Sequence, residues 1–189
     1  MATDMVMEQR KRIHPVKFTL WVGIGSIVMM FAGLTSAYIV KRSQPNWIGL
    51  EIPKVFWYST AVILLSSLTM QAALRAFKQR ERLQYRRLIG LTALLGLAFV
   101  LLQWMGFKAI WESGIQFSGA GAGQFLYIIA GLHAVHVLGG IVALVVMILK
   151  AFSTSRRNYN PVPVEAMSIY WHFVDLLWLY LLVFFMILT

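Results

Sequence analysis

Five stretches of the chain stay apolar for about the 20 residues that a helix needs to cross a hydrocarbon core of roughly 30 Å. They cover residues 18–40, 55–77, 88–110, 123–149 and 166–188. Between them lie polar or turn-forming segments: SQPNWIGLEIPK after the first, a glycine-rich WESGIQFSGAGAG after the third, and STSRRNYNPVPVE before the last. Pro45, Gly49 and Pro53 interrupt helix in the first connection, where Trp47 and Trp57 suit an interfacial belt. In the last connection Pro161 and Pro163 favour extended backbone until Glu165 opens the final helix. The pattern predicts an all-α polytopic membrane protein with five transmembrane helices. They form a single membrane domain over 18–188, behind a polar, partly basic lead at 1–17. That lead precedes a long apolar run closed by Lys41 and Arg42, not a short apolar core and a cleavage site, so the first span is expected to be retained.

Charge gives the spans a direction. Of the 17 lysines and arginines, thirteen fall before span one, from Arg75 at the end of span two to Arg87 before span three, or between spans four and five; only Lys41, Arg42, Lys54 and Lys108 fall on the other side. Cationic loops stay cytoplasmic, so the N-terminus is expected in the cytoplasm and the C-terminus opposite. Composition agrees with a membrane protein: 59% of the 189 residues are hydrophobic and 13% charged, against about a quarter charged in a soluble domain. The formal net charge of +10 sits beside apolar runs, where it serves topology and lipid phosphate; no array of basic and aromatic residues points to nucleic acid. With no cysteine, disulfides, thiolate metal sites and cysteine nucleophiles are excluded.

Ionisable groups inside a bilayer are costly, and here they gather in two spans. Span four carries His133 and His136, three residues apart on one helix face with Gly140 about a turn further on; span five repeats the offset with His172 and Asp175. Three chemistries suit such groups. Imidazoles can bind copper, iron, zinc or haem, although two on one face address a single point. A proton or ion route would need relays at several depths, and the cores of spans one to three contain no histidine or acid. The third is a buried hydrogen-bonded network pinning spans four and five together, which the residues favour. Gly131, Gly139 and Gly140 would bring span four close to a neighbour, as would Gly23, Gly25 and Gly33 for span one. Ser66, Ser67 and Thr69 on span two are expected to satisfy themselves against helix carbonyls. The glycines at 119, 121 and 123 lack the strand, lysine and acid of a nucleotide loop and are expected to form a turn.

FAGLTSAYIV at 31–40, LLSSLTM at 64–70, SGAGAGQFLYIIAGLHAVHVLGG at 118–140 and EAMSIYWHFVDLLWLYLLVFF at 165–185, in this order, resemble subunit III of the haem–copper oxidases, the cytochrome c and quinol oxidase superfamily. Longer members have seven helices, with a lipid-holding cleft between the first two and the other five; this chain resembles the short bacterial form lacking those two. The resemblance implies an accessory subunit in the bacterial cytoplasmic membrane, itself without a catalytic centre, haem or copper. It would pack beside catalytic subunit I, with subunit II in the same complex. Haem and copper would reside in those partners and structural phospholipid would bind at its surface. Its role would be to stabilise the catalytic subunit and support proton uptake. The residues carried over are His133, His136, His172 and Asp175 as a buried polar network, with Tyr170, Trp171 and Trp178 as helix or lipid contacts. Where the family has a membrane glutamate after a serine, this chain reads SIVMMF, and Ile27 takes the acid's place. The alternative from another class is a standalone proton or ion transporter using the same polar face.

Overall fold

A computed structural model describes residues 15–43, 53–112, 122–152 and 160–188. Trp47, Gly119, Gly121 and the basic residues 10–12, 156 and 157 lie outside them. Five helices are present among the described residues: α1 (Pro15–Arg42), α2 (Val55–Lys78), α3 (Arg82–Glu112), α4 (Ala122–Phe152) and α5 (Val162–Leu188). All five are long and apolar enough to cross a membrane. Each contains its expected span, and α3 extends six residues beyond it at the start. Arg82, Arg86 and Arg87 continue the helix there because long cationic side chains can reach from a helix end to the interface. The last helix also begins early. Asn160 Oδ1 accepts from the Val162 amide at 3.0 Å and Pro161 O from the Glu165 amide at 2.9 Å. Pro163, expected before the helix, therefore lies in its first turn, where its missing N–H would have had no intrahelical partner.

α2 and α3 form a tight hairpin. The amide of Arg80 donates to Phe77 O at 3.1 Å and that of Glu81 to Ala76 O at 3.0 Å, the two bonds of a Schellman stop. Arg80 supplies the left-handed residue, with φ of 62°, in the place glycine normally takes. At the same end of the bundle Arg86 Nε donates to Ala151 O at 2.8 Å, and its guanidinium lies 4.9 Å from the centroid of the Phe152 ring, fastening the start of α3 to the end of α4.

α5 is the most heavily buried helix and the hub of the bundle. Its backbone approaches α1, α2 and α4, and α3 is reached through side chains. α1 is the least embedded: Ile24, Phe31, Thr35 and Tyr38, one stripe of a helix, are its buried residues, and it contacts α4 and α5 but not α2. Ile27 lies half-buried against the same core. The outward faces are apolar, with Met29, Val40, Leu68 and Trp104 exposed as lipid-facing side chains should be.

Candidate functional site

Lipid is as apolar as leucine, so helices in a bilayer gain little from hydrophobic burial alone and associate through close packing and hydrogen bonds. α5 uses both. Trp171, 1% exposed, leaves α5 and passes between α3 and α4. A Cβ built on Gly96 would stand 2.8 Å from its Cη2, and one on Gly140 would stand 3.0 Å from its Cζ3. The indole thus fills a slot that exists because both residues lack side chains. Its Nε1 donates to Ser66 Oγ of α2 at 3.1 Å, and Ser66 in turn donates to Thr92 O of α3 at 3.2 Å. One side chain therefore joins four helices.

Two turns along, Trp178 repeats the arrangement. Its Nε1 donates to Thr60 Oγ1 at 3.0 Å, and Thr60 donates to Phe56 O at 2.7 Å. The His133 ring from α4 stacks on Trp178 with centroids 5.4 Å apart and planes 29° from parallel, while Phe99 of α3 meets Trp178 edge-on at 5.5 Å. Beside this layer Gln103 Nε2 donates to Ser59 Oγ at 3.0 Å, and Phe56 fits over Gly106.

The four ionisable residues singled out in the sequence are placed differently from one another. His172 is half-buried, with Nδ1 2.6 Å from Ser67 Oγ and Nε2 3.3 Å from Gln71 Oε1. With Gln71 in this orientation, Nε2–H donates to the amide oxygen and Nδ1 accepts from the serine. Asp175 is 3% exposed, and neither carboxyl oxygen has a hydrogen-bond partner among the described residues; its neighbour Ser67 is engaged by His172. Both His133 ring nitrogens also lack a partner, so this buried imidazole is held by its faces. His136 Nδ1 lies 2.6 Å from Leu132 O of its own helix, and its ring meets Phe31 of α1 edge-on. The Tyr170 hydroxyl donates to the His136 backbone oxygen at 2.9 Å, which does connect α4 with α5.

No hydrogen bond joins the span-four histidines to His172 or Asp175. Trp171, His172 and Trp178 of α5 meet α2 instead, where Thr60, Ser66, Ser67 and Gln71 form the receiving side. Ser66 and Ser67, expected to bond their own helix, bond across to α3 and α5 instead; Thr69 does donate to Ser66 O of its own helix at 2.8 Å and also lies 2.9 Å from Thr92 Oγ1. Among the glycines, Gly140 meets Trp171 as expected of a close-packing position. A Cβ on Gly139 would lie 4.0 Å from the Tyr170 hydroxyl oxygen, and one on Gly131, Gly23, Gly25 or Gly33 would meet nothing within 4 Å. Gly96 and Gly106 carry the close approaches that sequence reasoning missed. The visible signal for the receiving side was the seven-residue repeat Ser59–Ser66 and Thr60–Ser67, which stacks hydroxyls along one side of a helix.

At the end of the bundle where α1 and α5 begin and α2 stops, Glu165 is shared by two lysines. Its Oε2 lies 2.6 Å from Lys17 Nζ of α1 and its Oε1 2.8 Å from Lys78 Nζ of α2. No group of three histidine, aspartate or glutamate side chains able to hold a metal occurs among the described residues. Both ring nitrogens of His172 are already taken up by protein. The geometry that is present holds helices together.

The sequence pattern of the family described as "Cytochrome c oxidase subunit III" matches residues 12–189. A "Probable cytochrome c oxidase subunit 3" of Nocardia farcinica is 31% identical over 188 residues, covering 89% of each chain. A "Cytochrome c oxidase subunit 3" of Corynebacterium diphtheriae is 32% identical over 195 residues, covering 93% of this chain and 91% of that one. The protein of the same name from Osphranter robustus is longer: 31% identity over 134 residues covers 71% of this chain and 49% of it. Five apolar helices of matching extent and the bacterial relatives place the chain in the bacterial inner membrane. The chain belongs to the cytochrome c oxidase subunit III family.

Proposed function

We propose that this chain is a non-catalytic subunit of a respiratory haem–copper terminal oxidase, seated beside catalytic subunit I and in one complex with subunit II. Its N-terminus lies in the cytoplasm, as the distribution of cationic residues requires. Haem, copper and oxygen chemistry belong to the partners. This chain supplies a stiff transmembrane wall and a lipid-coated surface that keep the catalytic subunit in shape and sustain proton uptake at its cytoplasmic side during turnover. Family membership over nearly the whole chain carries the reading. The directed polar contacts of α5 support it: His172, Trp171 and Trp178 spend their hydrogen bonds on α2, as a scaffold requires. Because Ile27 neither binds a proton nor accepts a hydrogen bond, support for proton uptake acts through packing and lipid, not through an acid at that position.

Isolation in gentle detergent tests the proposal. The chain is expected to co-purify with two larger oxidase subunits and their haem spectrum. In His172→Leu the assembly should lose this subunit or lose oxygen consumption faster over repeated turnover, with the haem spectrum of assembled complexes intact. Recovery of the chain alone, with proton or ion transport in proteoliposomes, would refute the assignment in favour of a transporter.

A further inference from the structure

Glu165, Ile169, Leu176, Tyr180 and Val183 are spaced by four, seven, four and three residues, which at about 3.6 residues per turn places them on one side of α5. That side looks out between α1 and α2. Those two helices make no backbone approach to one another, so they stand as walls of a groove with this side as its floor; Leu176 is 64% and Val183 51% exposed. Toward the far end, the Thr35 hydroxyl of α1 lies 3.0 Å from that of Tyr180, and Tyr38 packs edge-on against Phe184 and Phe185. α1 is firmly seated there.

The near end is different. Residues 15–23 of α1, more than two turns of helix, contribute no fully buried side chain; Lys17 and Leu20 are half-buried, and the first buried residue is Ile24. In this segment Lys17 reaches across to Glu165, whose other oxygen is held by Lys78 from the opposite wall. Exposed ion pairs hold structures weakly, but the Glu165 side chain is only 22% exposed and is bracketed by two cations from separate helices. Deep packing thus holds one end of α1, while at the other a shared carboxylate supplements shallower contacts.

We propose that Glu165 is a latch. It holds the first turns of α1 against α5 and closes the end of the groove, and when it releases Lys17 those turns swing outward about the seat formed by Ile24 and Phe31. Lys78 holds the carboxylate in position from the α2 side, while the Lys17 contact is the one that opens.

The chain has no cysteine, so paired spin labels can be placed at will on the full-length protein in phospholipid nanodiscs. Thr19→Cys with Leu83→Cys spans the latched end from exposed positions, and Val40→Cys with Met105→Cys spans the opposite end. Pulsed electron paramagnetic resonance should give a single distance for each pair. Glu165→Gln and Lys17→Gln should each add a longer-distance population to the first pair and leave the second unchanged, whereas Lys78→Gln should leave both single. An unchanged first pair in both Glu165→Gln and Lys17→Gln overturns the latch. So does equal broadening at both ends, which would signal general loosening, or opening produced by Lys78→Gln alone.

Discussion

Substituting Gly96 by alanine tests whether Trp171 is a tightly bracketed wedge. The new methyl would lie 2.8 Å from Cη2 of the indole, closer than Cβ atoms approach their neighbours in proteins, and 3.0 Å from Cζ2. Trp171 is bracketed on a second side and tethered by its nitrogen. Gly140 closes the other face of the slot, with contacts of 3.0 and 3.2 Å awaiting any Cβ there, and Ser66 holds the indole nitrogen. Overpacking of this kind costs about 1–3 kcal/mol. Alanine recovers roughly 0.8–1.0 kcal/mol of helix propensity over glycine, so Gly96→Ala should be destabilising by up to about 2 kcal/mol net. Gly131→Ala is the matched control, because nothing stands within 4 Å of its site, and it should be neutral or slightly stabilising. Unfolding of the purified chain by titration with SDS in mixed micelles reads both. Gly96→Ala combined with Trp171→Phe should recover part of the loss, since the smaller ring vacates the space, and the non-additivity isolates the contact. Equal stability of Gly96→Ala and Gly131→Ala would refute the wedge.

Three further outcomes follow from the geometry. Arg80→Gly should raise the thermal midpoint of the chain, because the left-handed backbone costs a non-glycine residue about 1 kcal/mol; a lowered midpoint would show that the arginine side chain matters more than its backbone. Arg86→Met removes both the bond to Ala151 O and the contact with the Phe152 ring, so amide exchange over 149–152 should accelerate while that in α5 stays unchanged. Thr60→Val leaves the Trp178 indole N–H without its acceptor and should cost about 0.6 kcal/mol, the usual scale of an interhelical bond in a membrane. A loss several times larger would mean that the Trp178 layer fails as a unit.

The five spans were legible because crossing a bilayer imposes a length of apolar chain that nothing else in the sequence matches. Their ends were less so: the arginines at 82, 86 and 87 read as a loop by polarity, yet they continue α3 because long cationic side chains tolerate the interface. His133 and Asp175 are buried and His136 and His172 half-buried, but no hydrogen bond links the two pairs. Spacing states which residues share a face, and His133–His136 and His172–Asp175 do repeat an offset, but spacing is silent on which helix that face meets. The same limit explains the glycines. Gly131 and Gly140 look alike in sequence, and only the direction taken by Trp171 distinguishes a slot from an open surface. The shared carboxylate at Glu165 was hidden for a further reason, since Lys17 is 148 residues away along the chain.

α5 follows the other four helices in chain order, yet it touches all of them. A ribosome therefore delivers α1 to α4 into the membrane before the piece that unites them exists. During that interval the α2–α3 hairpin can close on its own turn, while Thr60, Ser67 and the vacant slot between Gly96 and Gly140 wait in lipid for residues still to be made. The fifth helix thus decides whether the earlier four become a bundle. A chain halted before it should look to the cell like a cluster of unassembled spans, open to membrane proteolysis until synthesis resumes.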